Sequence, residues 1–314
     1  MLTYAARRIL YSIPVLLIAT FALFWFVRLT FDPTARLAQS KDSQVQARER
    51  ERLGLNDPIY VQYGHWLGDA VRGDLGQSEV SREDVTSAIT RAMGNTLQLI
   101  LLGAGISAII AIGVGVYSAV RQYSSLDYVF TGLAYIGIAM PPFWFGLMAI
   151  SFFAVQHNWL LSLGLHTGDS TSYDWDYARH LVLPIMTLCV QIVASWSRYQ
   201  RASMLDSLSA DYVRTARAKG VPQRKVIFKH ALRNSMIPFV TVMALDFGAL
   251  FGGLIVTETI FSIGGMGRLF FNALQQGDVY ILEAWMIVAA VLIILFNLLA
   301  DLLYGVLDPR IRLT

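Results

Sequence analysis

Four carboxylates lie in or close to long apolar runs, where a charge is costly and usually faces the interior of a helix bundle or water. They are Asp246, Glu258, Glu283 and Asp301. Asp246 lies deepest in its run, and we predict it as a polar contact in a transport pathway or between helices. Glu258 and Glu283 are expected near an outer boundary, in contact with solvent. Carboxylates of this kind favour an ion-coupled secondary transporter as one functional alternative.

The sequence carries no motif for hydrolytic or nucleotide chemistry. It lacks the H-E-x-x-H and G-x-S-x-G patterns of hydrolases and the G-x-x-x-x-G-K-[ST] phosphate loop. Its five histidines fall outside the centres of the apolar runs, and Cys189, as the only cysteine, can form no intrachain disulfide. We therefore expect no catalytic residue, metal site or cofactor within this chain. A membrane-embedded hydrolase, the third class considered, has no motif to support it.

The densest group of basic residues lies in the segment DYVRTARAKGVPQRKVIFKHALRNSMIP, from Asp211 to Pro238. Apolar residues at helical spacing predict a short amphipathic helix that ends at Lys219. Gly220 suits the end of that helix because glycine adopts a left-handed backbone at little cost, and Pro222 suits the start of a second helix. Two short helices joined at a glycine could form a protrusion for a soluble partner or a loop attracted to anionic lipid. The residues alone leave both alternatives open.

Hydrophobic helices must position these residues. Of the 314 residues, 55% are hydrophobic and 15% are charged, against roughly 25% charged residues in soluble domains. Runs of about 20 apolar residues predict membrane-spanning helices, and these runs are too long for barrel strands. We predict an all-α integral membrane protein with about six transmembrane helices, at approximately 9–29, 96–120, 131–154, 181–199, 237–260 and 284–307.

Orientation follows from the Lys and Arg residues of the short connections. With the amino terminus inside, the inner connections carry most of these cations, and two short outer loops hold only Arg179 and Arg268. We therefore predict that both termini are cytoplasmic and that the first apolar run is a retained helix. The net charge of +3 is attributed to contact with anionic phospholipid and not with nucleic acid. Asp301 is expected to pair with Arg310 or Arg312 at the inner boundary.

Small residues recur every four positions in the second predicted span, at Gly103, Ser107, Ala111, Gly115 and Ala119. One face of that helix therefore has no bulky side chains. We predict that another helix approaches it closely there.

Two further features interrupt the helical pattern. Pro141 and Pro142 fall inside the third span, where they remove backbone donors and predict a kink that serves packing, a hinge or the lining of a pathway. The connection 30–95 is long, mixed in charge and partly aromatic. We predict that it forms a small helical cap outside the membrane.

Three separated segments carry a resemblance to a known family. The segment 211–238 resembles the cytoplasmic signature loop of bacterial ABC importer membrane subunits, in the form found in dipeptide, oligopeptide and nickel permeases. The family's Glu-Ala-Ala triplet aligns with Arg214, Thr215 and Ala216, so that two of its three residues are replaced here. RLGLNDPIYVQYGHWLGDAVRGDLGQS, at 52–78, resembles the first outer loop of the B-type subunits. ETIFSIGGMGRL, at 258–269, resembles a third family motif.

The resemblance implies a type I ABC importer permease fold, with 1–314 as one transmembrane domain, 96–307 as a five-helix core and 200–236 as a cytoplasmic coupling loop. It implies a bacterial inner-membrane importer with a second, C-type permease subunit, cytoplasmic ATPase domains that bind ATP and Mg, and an extracytoplasmic substrate-binding protein. Its cargo would be a dipeptide, an oligopeptide, a nickel chelate, haem or a similar solute. The residues implied to contact the ATPase are Asp211, Arg214, Thr215, Ala216, Arg217, Lys219 and Gly220.

Overall fold

The computed structural model describes residues 2–34, 43–168 and 172–307, and confirms the all-α class for these residues. Strand pairing within them is limited to one isolated bridge between Gln77 and Asp84. Two helical segments have the wider π-helical turn, Ile150–Gln156 and Val226–Leu232. The α-helices of the described residues are α1 (Leu2–Thr30), α2 (Ser43–Arg52), α3 (Ile59–Val71), α4 (Val85–Val120), α5 (Ser125–Ala139), α6 (Pro142–Ala149), α7 (Trp175–Ser209), α8 (Asp211–Ala218), α9 (Gln223–Lys225), α10 (Arg233–Gly253), α11 (Ile255–Ile260), α12 (Met266–Gln276) and α13 (Val279–Leu307).

Four helices of the described residues, α1, α4, α7 and α13, are long and apolar enough to cross a membrane. A fifth span is formed if α5, α6 and the π-helical segment after them count as one broken span, which bends by 102°. The break falls at Pro141 and Pro142, as predicted from the missing backbone donors. The remaining predicted span, 237–260, is divided between α10 and α11 at Leu254. At 1.5 Å per residue, the 21 residues of α10 extend for roughly 30 Å.

The most extensive helix contact joins α4 to α7 along the predicted small-residue face. All five small residues of that face are buried. A Cβ atom on Gly115 would lie 2.8 Å from both the Ser197 carbonyl oxygen and the Gln200 Cβ atom, and one on Gly103 would lie 3.2 Å from Leu188. The two backbones therefore approach to a distance that larger side chains on α4 would prevent. The prediction of a close helix partner is confirmed.

Ion pairs join α1 to α13 near both ends of the two helices. The Arg28 guanidinium lies 2.6 Å from the Glu283 carboxylate, which has no exposed surface, and Arg8 lies 2.8 Å from Asp301. The prediction that Glu283 is solvated is therefore wrong, because it is buried against Arg28. Asp301 has a partner on α1, while the predicted partners Arg310 and Arg312 lie outside the described residues.

Glu258 is also buried, contrary to the predicted contact with solvent. The Thr96 hydroxyl donates a hydrogen bond to one carboxylate oxygen at 2.5 Å, and the Arg268 backbone N–H donates to the other at 3.0 Å. The latter N–H lies in the first turn of α12, where free backbone donors stabilise a carboxylate. Glu258 thereby fixes the loop before α12 against α4.

The segment after α1 contains two helices in its described residues, α2 and α3. Tyr63 and Trp66 of α3 pack against Phe24 of α1, with ring centroids 5.7 and 5.3 Å from that ring. The Tyr63 hydroxyl also forms a hydrogen bond with Thr20 at 2.8 Å. The helix α4, which contains the second predicted span, begins at Val85, before the predicted start of the core at residue 96.

Gly265→Ala is expected to destabilise the protein by about 1–3 kcal/mol, the usual cost of overpacking. A Cβ atom there would overlap the Glu258 carboxylate, which could move only by breaking its bonds to Thr96 and Arg268. Unfolding of the purified protein in detergent measures the change. The matched control is Gly264→Ala, whose Cβ would meet nothing closer than 3.9 Å. Equal stability of the two variants would contradict the assigned role of Glu258.

Candidate coupling surface and membrane cavity

The basic segment begins where the long helix α7 ends. Ala210 is extended, and α8 starts at the next residue, so a single residue separates the two helices. The amphipathic helix predicted to end at Lys219 rests on the helical spacing of Leu205, Leu208, Tyr212 and Ala216. The structure instead assigns the two leucines to α7 and Tyr212 to α8. A movement of α8 is therefore transmitted to α7 through a very short connection.

The turn after α8 requires glycine. Gly220 has a φ of +71°, in the left-handed region that only glycine adopts readily. Its N–H donates to the Arg217 carbonyl at 2.9 Å, and the Val221 N–H donates to the Ala216 carbonyl at 3.2 Å. This pair of bonds is the Schellman motif, which satisfies the last carbonyls of a helix. The predicted helix end at Lys219 and Gly220 is confirmed.

The two faces of α8 differ sharply. Val213 and Ala216 are buried in an apolar cluster with Ala119 of α4, Met204 of α7 and Val226 of the following π-helical segment. Of the residues predicted to contact a partner, Ala216 therefore contributes packing and not an exposed side chain. The others lie on the surface: Asp211, Arg214, Thr215, Arg217, Lys219 and Gly220. We call this exposed set the coupling surface.

Hydrogen bonds hold the chain after the coupling surface against α7. The Gln200 amide donates to the Ser235 hydroxyl at 3.0 Å, and the Ser203 hydroxyl donates to the Ser235 carbonyl at 2.8 Å. Ser235 lies in the first turn of α10, and both it and Gln200 are fully buried. The chain on both sides of the Gly220 turn is thus fixed to α7. Apolar packing holds α8 before the turn, and hydrogen bonds hold the start of α10 after it.

A cavity of about 250 Å³ lies where the broken span meets α7 and α10. Two of the predicted pathway residues, Pro142 and Asp246, line it, whereas Pro141 precedes α6 and is not among the lining residues. The Trp196 indole N–H donates to one Asp246 oxygen at 2.7 Å. We call this space the acidic cavity. Its other polar lining residues are Thr187, Gln191, Ser195 and Thr257.

The polar residues that α7 contributes to the acidic cavity were missed by the sequence analysis. Thr187, Gln191 and Ser195 recur every four positions, a spacing that places them on one face of an otherwise apolar helix. The Gln191 amide donates to the Met140 carbonyl at 3.3 Å, at the break in the bent span. A polar stripe of this kind is a usable sequence signal. It indicates a helix face that contacts a partner or a cavity instead of lipid.

A second cavity, of about 510 Å³, lies between α5 and the part of α7 nearer the coupling surface. Arg198 and Arg201 line it. Arg201 forms a two-pronged ion pair with the buried Asp127, both distances being 3.0 Å, whereas Arg198 lies over the Tyr135 ring, 4.6 Å from its centre. We call this space the basic cavity. The described residues contain no cluster of three or more His, Cys, Asp or Glu residues that could hold a metal ion.

The family of the chain follows from comparison with known proteins. Residues 111–313 match the family described as the binding-protein-dependent transport system inner membrane component, and residues 1–100 match the N-terminal membrane component of such systems. The chain belongs to this family and is a multi-pass membrane protein. The membership supports the predicted permease subunit over the secondary-transporter alternative.

Relatives align over almost the whole chain. The oligopeptide transport system permease protein AppB of Bacillus subtilis is 41% identical, with 99% of this chain and all of the relative aligned. The dipeptide transport system permease protein DppB of Alkalihalophilus pseudofirmus is 38% identical, with the same coverage. The glutathione transport system permease protein GsiC of Escherichia coli is 38% identical over 99% of both chains. The resemblance predicted from the three sequence segments is confirmed.

Gly220→Val is expected to lower solute transport strongly while the subunit still inserts into the membrane. Nothing lies within 4 Å of an added Cβ at Gly220, so the change acts through backbone strain, at about 1–2 kcal/mol. Transport and membrane abundance are measured together. Gly168→Val is the matched control, because Gly168 has a φ of +66° and equally open surroundings but lies far from the coupling surface in sequence. Normal transport by Gly220→Val would contradict the assigned role of this turn.

Proposed function

We propose that this chain is one of two related permease subunits of an ATP-driven importer for short peptides in a bacterial inner membrane. The second subunit is of the C-type, an extracytoplasmic protein delivers the solute, and ATP and Mg bind to separate cytoplasmic ATPase subunits. Both termini of this chain then lie in the cytoplasm. The observation that carries this proposal is the coupling surface, which is charged outside, packed inside and joined directly to α7.

The coupling surface has the physical properties that a docking element for an ATPase needs. Asp211 and Arg214 expose 94% and 74% of their side chains, so they are available to a soluble partner. Val213 and Ala216 on the opposite face are anchored among residues of α4 and α7. A partner that displaces α8 therefore moves two membrane helices with it, because the buried apolar cluster resists separation.

Short peptides are the substrate class that the relatives suggest. Two of the relatives are named for oligopeptide and dipeptide transport. The acidic cavity adds support, since it brings a carboxylate and several uncharged polar side chains to a bend in the membrane domain. Peptides are rich in hydrogen-bonding groups. When these groups lose their bonds to water, a polar lining of this kind can supply replacement hydrogen bonds.

The proposal is tested by purifying the tagged subunit from its native membrane and identifying the proteins that accompany it. We expect a second permease subunit and an ATPase subunit, and ATP hydrolysis by the complex that peptide-loaded binding protein stimulates. The double variant Arg214→Glu, Arg217→Glu should lose the ATPase subunit but keep the permease partner, because its charge changes are confined to the coupling surface. The exposed Arg72→Glu variant of the outer cap is the control.

Two results would overturn the proposal. One is purification of the chain alone or as a homo-oligomer, with solute uptake driven by an ion gradient, which would restore the secondary-transporter alternative. The other is a complete complex that transports no peptide, which would retain the importer but reject the substrate class.

A further inference from the structure

One face of α7 lines both cavities. Thr187, Gln191 and Ser195 border the acidic cavity, and Ser195 and Arg198 border the basic cavity, so that Ser195 belongs to both. These positions are three or four residues apart, as expected for neighbours along one side of a helix. The two cavities are therefore successive parts of one polar strip that leads towards the coupling surface.

The acidic end of this strip carries a carboxylate without a charged partner. Within the described residues Asp246 forms no ion pair, and its hydrogen bond comes from the neutral indole of Trp196. A carboxylate inside a membrane bundle is costly unless a cation or several donors compensate it. The second Asp246 oxygen is therefore a strong acceptor for an ammonium group that enters the cavity.

The basic end has the opposite charge. Arg201 is neutralised by Asp127, but Arg198 forms no ion pair within the described residues and rests on the ring of Tyr135. Stacking on an aromatic ring orients the guanidinium and leaves its N–H donors available to a carboxylate. The net charge of this end therefore comes from Arg198.

The two cavities are spaced along α7 by about the length of a short peptide. The α7 residues that line the acidic cavity are centred about seven positions before those that line the basic cavity, which corresponds to roughly 10 Å along the helix. An extended chain covers about 3.3–3.6 Å per residue, so the terminal groups of a di- or tripeptide lie roughly 7–10 Å apart. The charge pattern of the strip is complementary to a zwitterion of this length.

We propose that the α7 strip recognises both termini of a short peptide during its passage, with Asp246 accepting the terminal ammonium group and Arg198 binding the terminal carboxylate. This inference rests on the proposed function and assigns the peptide a direction, with its carboxyl end towards the coupling surface. Side chains of the peptide play no part in these contacts. The strip therefore accepts peptides of different sequence and selects for free termini.

The test compares three forms of one tripeptide, with free ends, with an acetylated amino end and with an amidated carboxyl end. Uptake is measured in vesicles that contain the complete transporter and saturating binding protein. The measured quantity is the ratio of acetylated-peptide uptake to free-peptide uptake. This ratio should be about tenfold higher for Asp246→Asn than for the wild type, the size expected for a charged hydrogen bond. Arg198→Gln should raise the corresponding ratio for the amidated peptide and leave the ratio for the acetylated peptide unchanged. Because every sample contains the same binding protein, its own selectivity cancels in these ratios.

Two control variants remove charges that line neither cavity: Asp69→Asn in the outer cap and Arg121→Gln at the end of α4. Both should keep the wild-type ratios. The inference is overturned if Asp246→Asn and Arg198→Gln slow all three peptides equally, since that result indicates a purely structural role.

A lipid headgroup is the competing ligand for Arg198. If the effect of Arg198→Gln occurs in vesicles with phosphatidylglycerol and vanishes in phosphatidylcholine alone, Arg198 binds anionic lipid and the assignment of the basic end is wrong. If the wild-type transporter carries none of the three peptides, the proposed function itself has failed. If the wild type transports peptides but the two variants do not each favour their own capped peptide, only the proposed role of the α7 strip is rejected.

Discussion

The close contact between α4 and α7 is the constraint on which the rest of the structure depends. Gly103 and Gly115 allow the two backbones to approach until a Cβ at Gly115 would overlap α7. That contact fixes one side of α7, so its remaining surface is available to the bent span, to α10 and to the two cavities. Lipid is as apolar as the side chains, so van der Waals packing of small residues replaces the hydrophobic effect as the source of helix association.

The same helix connects the two cavities to the coupling surface. From Gln191 in the acidic cavity to Ala210 at its end, α7 is continuous, and α8 follows without a flexible linker. The apolar cluster around Val213 couples α8 to α4 as well. An event at the coupling surface therefore reaches the cavities through rigid elements in direct contact, which is the physical requirement for coupling between distant sites.

Local patterns predicted the features that depend on local chemistry. The four-residue spacing of small residues gave the α4 contact, Gly220 gave the helix end, and the two prolines gave the bend. The positions of Glu258 and Glu283 were predicted wrongly, because their burial depends on Thr96, Arg268 and Arg28, which are distant in sequence. For the same reason the sequence indicated only part of the acidic cavity, through the predicted pathway residues Pro142 and Asp246. The cavities are spaces between helices, and the polar stripe of α7 is the further sequence signal that indicates one of them.

The pairing of α1 with α13 also bears on how the protein is made. Arg28 and Glu283 are separated by 255 positions, so the arginine enters the membrane long before its partner has been synthesised. Until then its charge must remain compensated by water or headgroups at the bilayer surface, since a lone guanidinium in hydrocarbon is costly. Both ion pairs between α1 and α13 can form only after α13 has been synthesised. A chain truncated before α13 would therefore keep Arg28 without the carboxylate that compensates its charge in the folded protein.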